Sequence, residues 1–234
     1  MSKSFPFSNN LLTTSVRGIS LDLEKTILYV GLNAPKDERI LHCPLIKITP
    51  RPLHEAEIQA AYAEIEKYSH LIFTSKSAVK IFFDYLEHLK KKVSNKKLIA
   101  VGKATAQAIA LREAPVFLTA QEETAEGILT ELNKLSLKQT YFFWPHSALS
   151  RPLIAEYFIA NNIRYKECIF YDTDPITPAI LPDLNQIKEI IFTSPSTVDA
   201  FINAYGKIPW KKTLTTLGPI TETHLKKYSH SNPA

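Results

Sequence analysis

Ile72-Phe73-Thr74-Ser75-Lys76-Ser77-Ala78-Val79 and Ile191-Phe192-Thr193-Ser194-Pro195-Ser196-Thr197-Val198 are two copies of one pattern. In each, a short apolar run ends in Thr-Ser, and the hydroxyl pair is followed by residues that suit the first turn of a helix. An unbroken apolar run, rather than an alternating one, is expected of a strand buried on both faces, as in a parallel sheet covered by helices. Phe82 and Phe201 extend the match at the same distance downstream. A second pair follows: Lys97 to Thr105 and Lys212 to Thr221 share an apolar stretch that leads into Gly-x-x-Thr, at Gly102–Thr105 and Gly218–Thr221. The chain therefore carries two related strand-turn-helix units.

Working outward, further strands are expected at Ile27–Leu32, Leu45–Ile48, Val116–Leu118, Thr140–Trp144 and Tyr165–Tyr171, beside those at His70–Phe73, Lys97–Val101, Glu189–Phe192 and Thr213–Leu217. Helical patterns fall at Glu55–Tyr68, Ala104–Leu111, Thr124–Leu135 and Ala148–Ile159. Another, Ser77–Leu89, aligns Val79, Phe82, Phe83, Leu86 and Leu89 on one stripe. Strands alternating with helices imply parallel crossovers, hence an α/β fold. The expected architecture is two domains, each a parallel sheet flanked by helices, joined by a two-stranded connector. One domain spans 50–165; the other is assembled from 1–47 plus 173–234. The connector takes 47–52 and 164–172, near Pro50, Pro52 and Asp174-Pro175. Cys43 and Cys168 lie near the two crossings, which allows them to approach as reduced thiols.

Composition narrows the function. With 234 residues, 45% hydrophobic and 22% charged, the chain has ample apolar surface to form packed cores. No apolar run approaches the ~18–20 residues of a membrane span, and Met1 to Asn10 lacks the basic-then-apolar order of a secretory leader. A cytoplasmic protein with no membrane partner is expected. Two cysteines and scattered histidines give no metal-ligand spacing, so no metal is expected. The net charge of +5 suits an acidic ligand, but the lysines are diffuse. The runs at Lys90–Lys92 and Lys96–Lys97 suit the solvated end of a helix rather than a nucleic-acid face. The glycine patterns of dinucleotide sites, phosphate-binding P-loops and nucleophile elbows are absent from the sequence.

The Thr-Ser and Gly-x-x-Thr turns sit where parallel strands become helices. There the free amides and the positive dipole end can bind an anion, in the crevice beyond the strand ends. Each turn taken singly is also accounted for by helix capping alone. Tyr171 has two readings: an ordinary amphipathic strand residue, or a phenol at the base of an interdomain cleft. Arg151 reads either as a carboxylate clamp or as a surface residue at a helix start, since Pro152 suits the first turn.

The ordered set of motifs resembles the uroporphyrinogen-III synthase family. It comprises Leu71-Ile72-Phe73-Thr74-Ser75 with Ala78-Val79, Val101-Gly102-Lys103-Ala104-Thr105-Ala106 and Thr124-Ala125-Glu126-Gly127-Ile128-Leu129. Phe143-Trp144-Pro145 with Arg151 and Leu153, Ile169-Phe170-Tyr171-Asp172-Thr173, Ile191 to Ser196 and Gly218-Pro219-Ile220-Thr221 complete it. The resemblance runs from about Ile27 to Lys227. It implies a bilobal, flavodoxin-like α/β fold and an anionic linear tetrapyrrole substrate, hydroxymethylbilane. The implied reaction is cyclisation with loss of water and inversion of the last pyrrole ring, with no cofactor. By motif position it implies Tyr171 as acid to the departing hydroxyl. Carboxylate-binding residues would be Thr74, Ser75, Ser77, Lys103, Thr105, Ser147, Arg151, Thr193, Ser194, Ser196 and Thr221. A monomer is the default expectation. The alternative is a bilobal module that binds a tetrapyrrole or another anion without turning it over.

The sequence departs from the family at two places. Only Asn33 to His42 separates Leu32 from Cys43, too little for a full helix, and little follows the Gly-Pro-x-Thr helix. The domain built from the two ends is therefore expected to be trimmed, with Leu11–Val16 readable as a replacement strand.

Overall fold

A computed structural model describes residues 25–229. The expected Leu11–Val16 strand lies outside the described residues. In chain order the chain forms β1 (Ile27–Tyr29), β2 (Ile40–His42), β3 (Ile46–Pro50), α1 (Ala56–Ala63), β4 (His70–Phe73) and α2 (Lys76–His88). Then come β5 (Lys97–Ala100), α3 (Lys103–Ala110), β6 (Val116–Thr119), α4 (Ala125–Leu132), β7 (Tyr141–Ser147) and α5 (Leu153–Ala160). The last elements are β8 (Arg164–Pro175), β9 (Glu189–Phe192), α6 (Pro195–Tyr205), β10 (Thr213–Thr216) and α7 (Pro219–Lys226).

The strands form two sheets. One has six strands in the order β3-β8-β7-β4-β5-β6; the other has four, in the order β10-β9-β1-β2. All pairings are parallel except β3 with β8. The α/β reading with two helix-flanked, parallel-dominated sheets holds.

Strand β4 shows why the sheet is covered on both sides. All four of its residues are buried. Leu71 and Phe73 enter one core, with Phe82, Phe143 and Phe170, whereas Ile72 enters a second, with Phe142, Trp144 and Phe158. The first lies under α1 and α2. Helix α2 contributes Val79, Phe82, Phe83 and Leu86 of the stripe read from the sequence, with Ala78 and Ile81 beside them, while Leu89 caps the helix. Ser75 stops the helix growing backward: its hydroxyl accepts from the Ala78 amide at 3.0 Å. The four-stranded sheet has its own core of Leu28, Val30, Ile190, Phe192, Val198 and Phe201.

Three differences from the sequence reading stand out. Strand β2 was not expected; Ile40-Leu41-His42 pairs beside β1 after a connection that holds no helix among the described residues. An Arg39 guanidinium forked onto Asp37 tightens that link. Strand β8 runs on to Pro175. Its segment 164–171 pairs with β7, so most of what was read as connector is a full member of the larger sheet. Its last residues, from Tyr171 to Pro175, pair with β3. The cysteines do not share an environment: Cys43 packs into the smaller core and Cys168 into the larger. Both are free and buried, and burial pushes both thiols up, Cys168 to about 12.

One buried polar residue of β4 carries a pH consequence. His70 is 5% exposed and stacks on Phe142 at 4.7 Å. Burial, aided by Lys97, lowers its pKa to about 4. An unfolded histidine titrates near ~6.5. Between those values the unfolded chain binds more protons than the folded one, so stability falls as pH drops through that window. Chemical denaturation at pH 7 and pH 4.5 should show a smaller loss of stability for His70→Gln than for the parent chain. Equal losses would remove His70 from the acid response.

Candidate active-site cleft

The C-terminal ends of strands from both sheets open onto one cleft of about 630 Å³. On the larger sheet's side it is lined by Thr74 after β4, Val101 after β5, Ala125 at the start of α4, Trp144 of β7, and Arg151 before α5. On the other side stand Pro195 at the start of α6 and Ile220, Thr223, His224 and Lys227 of α7. Helix N-termini from two separate sheets thus converge on one space, where amide groups and dipole ends favour a negative ligand. The walls between them are apolar. Leu149 is 63% exposed and Ile220 37%, both within the cleft.

Two protein carboxylates sit at positions read as ligand sites. Glu123 Oε1 accepts from the Lys103 backbone amide at 3.0 Å, and so caps α3. Gly102 makes this approach possible, because a Cβ there would fall 2.4 Å from the Glu123 carboxyl carbon. Arg151 grips Glu126 with two parallel bonds of 2.6 and 2.7 Å. These bonds pull the Glu126 carboxyl down to about 2. Gly127 lets the same loop turn, since any Cβ would come 2.0 Å from the Glu122 carbonyl oxygen.

The remaining expected residues fall into distinct places. Ser75 and Tyr171 meet: their hydroxyl oxygens lie 2.8 Å apart at the start of α2. Tyr171 is 6% exposed and belongs to the larger core. Burial raises its phenol, opposed by hydrogen bonds with Ser75 and Ser147. The phenol is not among the cleft-lining groups; its partner Ser75 adjoins Thr74, which lines the cleft. Ser147 also accepts from the Leu149 amide at 3.1 Å, shaping the turn before Arg151. Ser77 lies in a separate groove of about 360 Å³, with Leu32, Asn33 and Ile48. Thr105 and Thr221 are buried, each 4% exposed. The Lys103 side chain is exposed.

At the start of α6, Ser194 and Ser196 hydroxyls are 2.8 Å apart. Thr197 accepts from the Thr193 and Ser194 amides and donates to the Ser194 carbonyl. Thr193 lies so close to Gly31 that a Cβ at residue 31 would come within 2.5 Å of its side chain. The Thr-Ser turn of the second copy is thus largely occupied with holding its own helix. Gly102 has extended backbone, whereas Gly218 alone of the two adopts a positive φ, of 133°.

The family model described as uroporphyrinogen-III synthase HemD matches residues 35–233. The chain belongs to the uroporphyrinogen-III synthase family. That family consists of cyclising lyases of tetrapyrrole synthesis. A porphyrin biosynthesis protein HemD from Ruminiclostridium josui is 28% identical over 198 residues, covering 80% of this chain and 38% of that protein. The chain thus spans well under half of that relative. Among solved structures, the uroporphyrinogen-III synthetase of Helicobacter pylori matches with a TM-score of 0.58 at 21% identity, over 89% of this chain and 90% of that one. A mutant uroporphyrinogen III synthase from the extremely thermophilic bacterium Thermus thermophilus matches with a TM-score of 0.57 at 15% identity, over 86% and 88%. At these identities the structural likeness establishes the fold. Within the described residues no helix is long and apolar enough to cross a membrane.

Of the residues singled out in the sequence, Thr74 and Arg151 line this cleft; His224 and Lys227 line it too and carry no motif. The ion pair between Arg151 and Glu126 is directly measurable. Carbon-detected NMR of the Glu126 carboxyl should give a midpoint near pH 2, moving up toward the ordinary carboxylate range in Arg151→Gln. A normal midpoint in the parent chain would show the pair open in solution.

Proposed function

We propose that this chain is a uroporphyrinogen-III synthase that closes hydroxymethylbilane into a ring with inversion of the last pyrrole. The observation that carries the reading is the single cleft lined by strand ends and helix starts of both sheets, with Arg151 on one wall and Lys227 on the other. Such a cleft suits a flexible molecule rimmed with carboxylates and built of apolar rings. Charge-assisted hydrogen bonds contribute about 1.5–3 kcal/mol each. Several of them, from Thr74, Arg151 and the helix amides, would hold the chain coiled. Leu149, Trp144 and Ile220 supply apolar surface for the rings.

The terminal hydroxyl leaves as water, and the last ring attacks through its substituted carbon. The resulting spiro intermediate rearranges, and ring closure follows with that ring inverted. The same substrate closes spontaneously without inversion, so the protein's task is to hold the reacting carbons in the less accessible arrangement. In this reading the lobes divide as the sequence suggests, around 50–165 and the two chain ends, with β3 and β8 between them. Tyr171 fixes the hydroxyl of Ser75 at the start of α2. Arg151 exchanges Glu126 for a substrate carboxylate.

The test is product analysis. Hydroxymethylbilane incubated with the protein, then oxidised and chromatographed, should yield type III porphyrin above the spontaneous type I. Type I alone at the uncatalysed rate would leave a binding module and no synthase. Arg151→Ala should raise KM about tenfold or more, in keeping with the loss of one charged hydrogen bond. Tyr171→Phe should slow type III formation while preserving the thermal midpoint.

A further inference from the structure

Helix α7 places a histidine on the cleft wall opposite Arg151. His224 Nε2 lies 2.7 Å from Asp199 Oδ1 on α6. The Tyr228 hydroxyl donates to the same oxygen at 2.7 Å. One carboxylate oxygen thus fixes the imidazole from behind, in the manner of a base-orienter pair. With Nε2–H committed to Asp199, Nδ1 is the ring nitrogen left for a ligand. The arrangement is more than a surface ion pair, since His224 is half-buried and lines the cleft. Tyr171, by contrast, has its phenol engaged by Ser75 inside the larger core. A proton donor for a leaving hydroxyl must touch the bound molecule. His224 is among the residues that line the cleft, and Tyr171 is not.

We propose that His224 is the proton donor of the cleft, with Asp199 and Tyr228 as its positioning residues. The inference rests on the synthase reading above and deepens it. In the step assigned to His224, the bond between the terminal methylene carbon and its hydroxyl oxygen breaks, and both electrons leave on oxygen. The imidazolium, protonated on both nitrogens, passes its Nδ1 proton to that oxygen, and water departs, leaving the neutral ring with Nε2–H on Asp199. The cationic carbon left behind is stabilised by its pyrrole nitrogen until the last ring attacks. The proton lost when the final ring regains aromaticity returns to Nδ1, so the residue ends as it began. The charged and titratable groups around the imidazole are Asp199 on α6, Tyr228, Lys227 and the paired Glu222–Lys226 on or just beyond α7, and Arg151 with Glu123 across the cleft.

The experiment measures initial rates of type III formation from hydroxymethylbilane against pH, for the full chain and for His224→Gln, Asp199→Asn and Tyr171→Phe. The parent should lose kcat on the alkaline side along a single-proton limb. His224→Gln should lower kcat roughly 100-fold, at the lower end of general acid catalysis, and abolish the limb. Asp199→Asn keeps the imidazole, so it should retain the limb at a reduced kcat with KM little changed. Tyr171→Phe should keep the limb in place. A His224→Gln variant with parental kcat and limb overturns the proposal, as does a limb that moves with Tyr171→Phe alone. Should His224→Gln fail to fold by thermal melting, a parental kcat in Asp199→Asn overturns it. A parent that makes only type I overturns the synthase reading and this inference together, whereas type III formation indifferent to His224 overturns the inference alone.

Discussion

The short antiparallel ladder between β3 and β8 is the constraint on which the rest depends. It runs from Ile46 opposite Pro175 to Pro50 opposite Tyr171. Its residues are rooted in both lobes: Ile46 in the smaller core, Ile48 and Tyr171 in the larger. Side chains reinforce it, with Arg51 bonded to Asp172 at 3.0 and 3.2 Å and Thr49 to Asp174 at 2.6 Å. Tyr85 adds a hydrogen bond to the Arg51 carbonyl. A ribbon only two strands wide resists stretching and sliding far better than bending. It is the stretch of backbone pairing that links the two cores beside the cleft.

The cleft held open by this ribbon is electrostatically prepared but already partly satisfied. Glu123 caps α3, and Glu126 neutralises Arg151. Arg151 and Glu126 are both exposed, so water shares in satisfying them and the pair adds little stability. In the function proposed above, a substrate carboxylate would replace Glu126 on Arg151. The opposite wall is arranged otherwise. There Asp199 on α6 bonds His224 Nε2 at 2.7 Å and so orients the imidazole.

Much of the fold was legible because parallel strands covered on both faces are nearly all apolar. His70–Phe73 and Glu189–Phe192 were read with the bounds they have in the structure. Strand β2 escaped because Ile40-Leu41-His42 is three residues long and adjoins polar Arg39. The tail of β8 escaped for a different reason. Asp172, Thr173 and Asp174 look like a turn, yet their backbone pairs with β3, and the two aspartates bond Arg51 and Thr49. In the candidate cleft, the lining positions of Thr74 and Arg151 were visible because turns after strands have a recognisable grammar. His224 was not, since its partner Asp199 is 25 residues away and only the packing of α6 on α7 joins them. The inward direction of the Tyr171 ring was equally hidden, because strand periodicity gives two faces without saying which one is the cleft.

The two tryptophans occupy opposite surroundings. Trp144 is 2% exposed, lines the cleft, lies 3.5 Å from the Thr74 hydroxyl and stacks on His146 at 4.1 Å. Trp210 is 37% exposed, in the loop before β10. Excitation of the native chain thus yields one blue-emitting indole coupled to the cleft and one red-emitting indole facing solvent. A change at the blue edge of the emission on adding a ligand would therefore report on the Trp144 wall of the cleft.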